Sequence, residues 1–373
     1  MRQEKEVGDI LRSLGDRIEG IGLNSHQRRH LSALRNCRTA ALGGHVDACT
    51  ECGTLRVSYN SCRNRHCPKC QGNKREEWIQ ARNSELLPVP YFHLVFTLPK
   101  ELNALCLSHS KEMYGLLFKS AWETLSLFSV NESHVTTGMI AVLHTWGQNM
   151  SLHPHLHCIV PGGGITKSGQ WRNIRTDGKF LFSVKALSKV FRAKYVALLR
   201  KAAITSNETI NPLFSKPWVV YAKRPFGHPG HVVEYLGRYT HKVAISNNRI
   251  ISYENNRVRF SCKDYRHGGC KTEMELEDTE FIRRFALHIL PAGFIRIRHY
   301  GILSSTTKKV TIPAIREQFA PMEIGFIDMR KIRPFDPKIC PCCGTPTMIT
   351  VETIPSRGPP QTKVGKLSEV TQS

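Results

Sequence analysis

Acidic residues are scarce in this chain of 373: 30 Asp and Glu stand against 53 Lys and Arg, for a formal net charge of +23. That deficit predicts a polyanionic partner, most simply a nucleic acid, although a ribosomal or membrane-surface protein can carry similar charge. Long apolar runs are missing too; none approaches the roughly 18 residues a bilayer-spanning helix needs. The N-terminus lacks signal-peptide order, because charges alternate there with Ile10, Leu11, Leu14, Ile18 and Ile21 in an amphipathic helical pattern. A cytoplasmic, nucleoid-associated protein is the expectation. No Gly-x-x-x-x-Gly-Lys-[Ser/Thr] loop occurs, so no P-loop ATPase is expected. No internal repeat is evident. Hydrophobic residues at 40% suffice for a core, and the length accommodates two or three domains.

What the chain does have is paired cysteine. Clustering of its 13 cysteines into Cys-x-x-Cys units points to metal in a reducing compartment rather than to disulfides. Cys49-x-x-Cys52 and Cys67-x-x-Cys70, fourteen residues apart, are expected to form one tetrahedral four-thiolate Zn²⁺ site. Cys37, His45, Cys62 and His66 surround these knuckles as substitute or second-site ligands. Cys340-Pro-Cys342-Cys343-Gly looks like a further knuckle whose partner pair is missing from the rest of the chain. It reads as half a site, a borrower of ligands or a vestige. Between Gly53 and Arg75 there are six cations (Arg56, Arg63, Arg65, Lys69, Lys74 and Arg75) and no acid, a composition suited to phosphate contacts.

Residues 153–164 read His-Pro-His-Leu-His-Cys-Ile-Val-Pro-Gly-Gly-Gly. On a strand His155 and His157 point to one face while Leu156 packs into the core. Paired imidazoles suit a divalent metal. A third ligand is expected from Gln148, on the preceding strand, whose amide oxygen would suit Mg²⁺ or Mn²⁺. His144 shares its strand parity and is the runner-up; His153 is expected in the turn. Tyr235 and Tyr239 are four apart, which on a helix puts both phenols on one face. Arg238 and Lys242 lie beside them. A metal facing two phenols is the equipment for cutting a DNA strand through a covalent 5′-phosphotyrosine, a linkage that conserves the phosphodiester energy.

The pattern divides the chain into a helical segment (1–35), a zinc-binding DNA-contact module (36–75), a linking helix (76–87), a mixed domain (88–300), a less regular extension carrying the last cysteines (301–352) and a disordered tail (353–373). Within 88–300, strands are expected near Tyr91–Leu98, Gly138–Gln148 and Leu156–Val160. Helices are expected near 104–130, 184–203 and 232–240. A hairpin is expected to turn at Glu254-Asn255-Asn256. Between Phe281 and Tyr300 there is no acid; Arg283, Arg284, Arg296 and Arg298 alternate with Phe285, Phe294 and Tyr300. That mixture suits single-stranded DNA, or else a packed aromatic core with exposed arginines.

Several pieces occur together in order: Ser61-Cys62-Arg63-Asn64-Arg65-His66-Cys67-Pro68-Lys69-Cys70-Gln71, Phe96-Thr97-Leu98-Pro99, His155-Leu156-His157, Tyr235-x-x-x-Tyr239, Phe281-Ile282-Arg283-Arg284-Phe285 and Gly293 through Gly301. From about residue 25 to 345 the chain resembles the HUH-class two-tyrosine rolling-circle transposases of bacterial insertion sequences, the insertion sequence 91 type. The resemblance implies an α+β fold: an antiparallel-sheet palm with flanking helices, plus an N-terminal zinc module. It implies His155 and His157 as metal ligands and Tyr235 and Tyr239 as nucleophiles. It also implies nicking of single-stranded element ends, transfer to a target strand, and a host helicase to displace that strand. Two competing expectations are a plasmid replication initiator or relaxase, with the same strand chemistry, and a non-enzymatic zinc DNA-binding regulator.

Overall fold

The computed structural model describes residues 5–71, 79, 82, 85–174, 181–223, 232, 237, 242–264, 268–319 and 336–356. Its N-terminal segment folds as α1 (Val7–Leu14) and α2 (Ser25–Arg35), joined by a 3₁₀ turn. Helix α2 starts where Asn24 and Gln27 close a reciprocal capping box, and both helices turn their Leu and Ile stripes inward. Strands β1 (Gly44–Cys49) and β2 (Leu55–Tyr59) follow.

Five antiparallel strands form the central sheet: β3 (Tyr91–Thr97), β4 (Gly138–Trp146), β5 (Leu152–Pro161), β8 (Val220–Lys223) and β12 (Ile297–Gly301), in the order β12-β4-β5-β3-β8. A short pair, β6 (Gly163–Ile165) and β7 (Trp171–Asn173), extends from the end of β5. Alternation gives the sheet two different faces. Leu94, Phe96, Ala141, Leu143, Leu156 and Cys158 point into the main core, which is shared with α3 (Ser110–Ser133) and α4 (Val184–Ala202). The helix α3 qualifies because Met113, Tyr114, Leu117, Phe118, Ala121 and Leu125 recur at helical spacing and are all buried. The opposite face places Tyr91, Ile140, Val142 and Ile159 in another cluster, which Val232 joins.

A second three-stranded sheet comprises β9 (Ile250–Glu254), β10 (Arg257–Asp264) and β11 (Cys270–Glu277). Asn255 and Asn256, with φ of 50° and 60°, make the two-residue turn between β9 and β10. This sheet, α1, α2 and α5 (Asp278–Ala286) share one core that also contains Cys37, Cys67 and Cys70. A further helix, α6 (Lys308–Arg316), precedes β13 (Met348–Ile354). Within the stretch 301–352, expected to be less regular, β13 pairs antiparallel with β1, giving the order β13-β1-β2. The C-terminal strand thus lies in the N-terminal module. Strand β13 also runs past Thr353, where the disordered tail was expected to begin. The expected linking helix lies largely outside the described residues. No helix among the described residues is long and apolar enough to cross a membrane.

Candidate metal centres and nucleic-acid surface

Hairpin register brings three imidazoles together. His155 on β5 stands opposite His144 on β4, and His157 follows two residues on, so all three share the face away from the main core. Their candidate ligand nitrogens lie within 4.8 Å of one another. Ring centroids are 5.4 Å apart for His144 and His155, 4.6 Å for His144 and His157, and 4.9 Å for His155 and His157. Trp146 stacks on His144 at 4.6 Å.

Neighbouring groups orient the rings. The His155 Nδ1 lies 2.6 Å from the His153 carbonyl, which can only accept, so Nδ1 carries the proton and Nε2 keeps the lone pair. His93, on β3, presents Nε2 to His157 Nδ1 at 3.0 Å. With His157 likewise bound through Nε2, its Nδ1–H would donate to His93, the usual outer support of a ligating histidine. Burial is the main cause of the low proton affinities. His155 is pushed down to about 4, with Lys242 adding to the effect, and His93 down to about 3. His157 falls well below its ordinary value through burial and then the charges of His144 and His155. Neutral imidazoles at neutral pH are the metal-binding form.

His144, the runner-up, lies with His155 and His157, whereas parity had favoured Gln148 for the third position. The parity argument fails because β4 ends at Trp146 and its register shifts between His144 and Trp146. Gln148 lies in the following turn, where its carbonyl accepts a bond from Arg249. His93 had gone unnoticed, because one histidine in an apolar strand carries no local signal.

Tyr235, Tyr239 and Arg238 lie outside the described residues. Both flanks of that segment are described. Val232 is helical and fully buried in the cluster on the histidine-bearing sheet face. Lys242 is close enough for its charge to act on His155 and His157, and its carbonyl accepts from Arg296 at 3.0 Å.

The cysteines form two tetrads, neither of them the expected set. Cys67 and Cys70 gather with Cys37 and Cys62; Sγ separations are 3.5 Å for Cys37–Cys70 and 3.6 Å for both Cys62–Cys70 and Cys67–Cys37. Cys49 and Cys52 instead meet Cys340 and Cys343. The corrected pairing follows from topology: β1 carries Cys49 away from the loop containing Cys67 and toward β13. His45 and His66 belong to neither tetrad: His45 lies 3.4 Å from Asp47, and His66 packs edge-on against His30.

Several expected phosphate contacts are already engaged within the protein. Arg65 donates to the carbonyls of Phe294 at 2.5 Å and Pro291 at 3.0 Å, and Lys69 pairs with Glu6. Arg56 bonds Asp47 at 2.9 Å and the Pro337 carbonyl. Arg283 and Arg284 both bind Glu280, and burial pushes Arg296 down to about 10. Phe285 and Phe294 are buried and Tyr300 stacks on Trp122 at 5.3 Å, so these aromatics serve the core rather than offering a stacking platform for bases. Arg298 lies over the Phe118 and Phe294 rings at 4.3 and 5.2 Å. Arg63 and Lys242 are exposed, whereas Lys74 and Arg75 lie outside the described residues.

Comparison with known proteins matches residues 138–310 to a family described as "Putative transposase", and residues 10–98 to a transposase zinc-binding domain of the insertion sequence 91 type. The chain is 42% identical to "Putative transposase y4qJ" of Sinorhizobium fredii, over 96% of this chain and 98% of that protein. It is 27% identical to the transposase for insertion sequence element IS801 of Pseudomonas savastanoi pv. phaseolicola, over 89% of this chain and 85% of that protein. No solved structure matches.

Proposed function

Because the chain belongs to the insertion sequence 91 type of transposases, we propose that it nicks single-stranded DNA at the ends of its element through a 5′-phosphotyrosine and passes the strand to a target. The observation that carries this reading is the group of three imidazoles on one sheet face. The antiparallel sheet with helices on its other face supports the reading as an HUH-type palm. A divalent cation held by His144, His155 and His157 would polarise the scissile phosphate and leave coordination positions open for its oxygens. An all-imidazole set favours Mn²⁺ over Mg²⁺, which prefers oxygen donors.

Tyr235 or Tyr239 attacks the phosphorus. The phenol loses its proton, the P–O3′ bond breaks, and the leaving 3′-oxygen is protonated. In the transfer step a 3′-hydroxyl attacks the phosphotyrosine and releases the phenol. A second tyrosine lets one 5′ end be held while another strand is cut. Lys242 adds positive charge beside the imidazoles, where the developing phosphate charge is to be stabilised. His93 holds His157 in its ligating orientation. Strand displacement falls to a separate helicase.

The test incubates purified protein and Mn²⁺ with labelled single strands from the flanks of the gene, followed by a denaturing gel. A protein–DNA adduct is expected with wild type and with at least one of Tyr235→Phe and Tyr239→Phe, and none with the double variant. An adduct that persists in the double variant would refute tyrosine chemistry. DNA binding without any adduct would favour the non-enzymatic regulator.

A further inference from the structure

Both ends of the chain carry one six-residue pattern, Cys-x-x-Cys-Gly-Thr. It appears as Cys49-Thr50-Glu51-Cys52-Gly53-Thr54 and again as Cys340-Pro341-Cys342-Cys343-Gly344-Thr345. The two copies fold alike. The first cysteine N–H donates to the threonine carbonyl, at 3.0 Å for Cys49 and 2.8 Å for Cys340. The glycine N–H donates to the first cysteine's carbonyl, at 3.1 Å for Gly53 and 3.0 Å for Gly344. Each glycine is left-handed, with φ of 69° and 76°, a conformation other residues adopt only under strain. A backbone N–H points at the first sulfur in each copy, 3.4 Å from Cys52 N to Cys49 Sγ and 3.4 Å from Cys342 N to Cys340 Sγ. The threonine hydroxyl approaches the second sulfur, at 3.1 Å in Thr54 and 2.9 Å in Thr345. N–H and O–H donors aimed at sulfur stabilise thiolates rather than thiols.

The two copies face each other sulfur to sulfur. Cys49 Sγ lies 3.6 Å from Cys343 Sγ, and Cys52 Sγ lies 3.6 Å from Cys340 Sγ. A tetrahedral Zn²⁺ with bonds of about 2.3 Å places its sulfurs roughly 3.8 Å apart, whereas a disulfide requires about 2.05 Å. The surroundings also call for a metal. Cys49, Cys340 and Met348 are the only buried residues of this cluster among the described residues. Leu55 and Val57 on β2 stand 67% and 56% exposed, so no apolar core lies on that side of the sheet among the described residues. A sheet so poorly cored needs a covalent or metal staple.

We propose that Cys49, Cys52, Cys340 and Cys343 hold a second Zn²⁺, a clasp that fastens the C-terminal strand β13 onto the N-terminal module. Cys340 and Cys343 lie outside both matched regions, and the clasp does not depend on tyrosine chemistry. The test begins with full-length protein purified under reducing conditions. Elemental analysis is expected to find two Zn²⁺ per chain, and one in the Cys340→Ser/Cys343→Ser variant. Hydrogen exchange across residues 349–353 is expected to rise in that variant, while β3 and β5 keep their protection. Cadmium substitution of wild type, followed by sulfur-to-metal absorbance, reads the site without any variant; eight thiolates per chain are expected. One zinc with four thiolates in wild type would overturn the proposal, as would native disulfides among these cysteines. Unchanged β13 exchange in a variant that has lost the second zinc would overturn the clasp.

Discussion

Replacing His144 by alanine should weaken the catalytic cation far more than replacing Gln148. The structure grades the expected losses. His93 supports His157 through one 3.0 Å bond. Losing such an outer partner costs about 10- to 100-fold in metal affinity, or about 1.4–2.8 kcal/mol. His93→Phe should fall in that range. His144→Ala removes a donor nitrogen itself, so its loss should exceed ~100-fold. Gln148→Ala should stay within about 3-fold, because its place in the turn lies beyond the strand parity that made it a candidate. Free Mn²⁺ measured by electron paramagnetic resonance on zinc-loaded protein reads the affinities. Adduct formation as a function of Mn²⁺ concentration provides the functional curve, and high Mn²⁺ should rescue His93→Phe. Because His144 is buried and stacked on Trp146, zinc content and the melting transition serve as fold controls. A large loss in Gln148→Ala with little loss in His144→Ala would refute the ligand assignment.

The other predictions concern charge and stability. Arg63→Ala, at an exposed cation, should reduce the salt slope of DNA binding by about one unit in a salt titration. Arg65→Ala should leave that slope unchanged and lower the unfolding midpoint, because Arg65 donates to the carbonyls of Phe294 and Pro291. Tyr253→Phe should cost about 1 kcal/mol in denaturant unfolding by removing the 2.9 Å bond to buried Asp278. Arg17→Met should cost more, since Arg17 is the charge partner of Asp278. Glu280 is held down to about 2, chiefly by Arg283 and further by Arg284. Folded Glu280 therefore binds fewer protons than unfolded Glu280 near pH 3, so its contribution is present above about 4.5 and lost as pH falls through about 2. Solvent screening keeps that contribution below about 1 kcal/mol. The stability gap between wild type and Glu280→Gln should shrink between pH 7 and pH 3.

Local patterns were legible and long-range pairing was not. The histidine pair on β5 follows from alternation alone, and the Asn255–Asn256 turn from the asparagines' tolerance of positive φ. The third imidazole depends on the register of the β4–β5 hairpin and on a shift beyond His144, which composition does not encode. For the cysteines, the twin Cys-x-x-Cys spacing paired Cys49 and Cys52 with Cys67 and Cys70. The structure joins Cys67 and Cys70 to the substitute ligands Cys37 and Cys62 and sends Cys49 and Cys52 to distant Cys340 and Cys343, for which the shared Gly-Thr after Cys52 and Cys343 was the available signal. Aromatic and basic residues near Arg296 fit both a DNA surface and a core until burial distinguished them.

The fate of those cations bears on how the zinc module and the central sheet are joined. The first tetrad sits in the same core as α1, α2 and α5, so it joins the N-terminal helices to the second sheet rather than standing apart as a DNA-reading finger. Two residues before Cys67, Arg65 clamps the carbonyls of Pro291 and Phe294. Two residues beyond Phe294, Arg296 holds the carbonyl of Lys242, whose own charge reaches His155 and His157. Arg65 and Arg296 are close enough for each charge to oppose the other, a cost tolerated only because both guanidiniums satisfy carbonyls. These bonds form a continuous path from the thiolates to the flank of the tyrosine segment. Two of the cations conspicuous in the sequence, Arg65 and Arg296, are therefore committed to holding the zinc module against the segment that leads into β12 and toward Lys242.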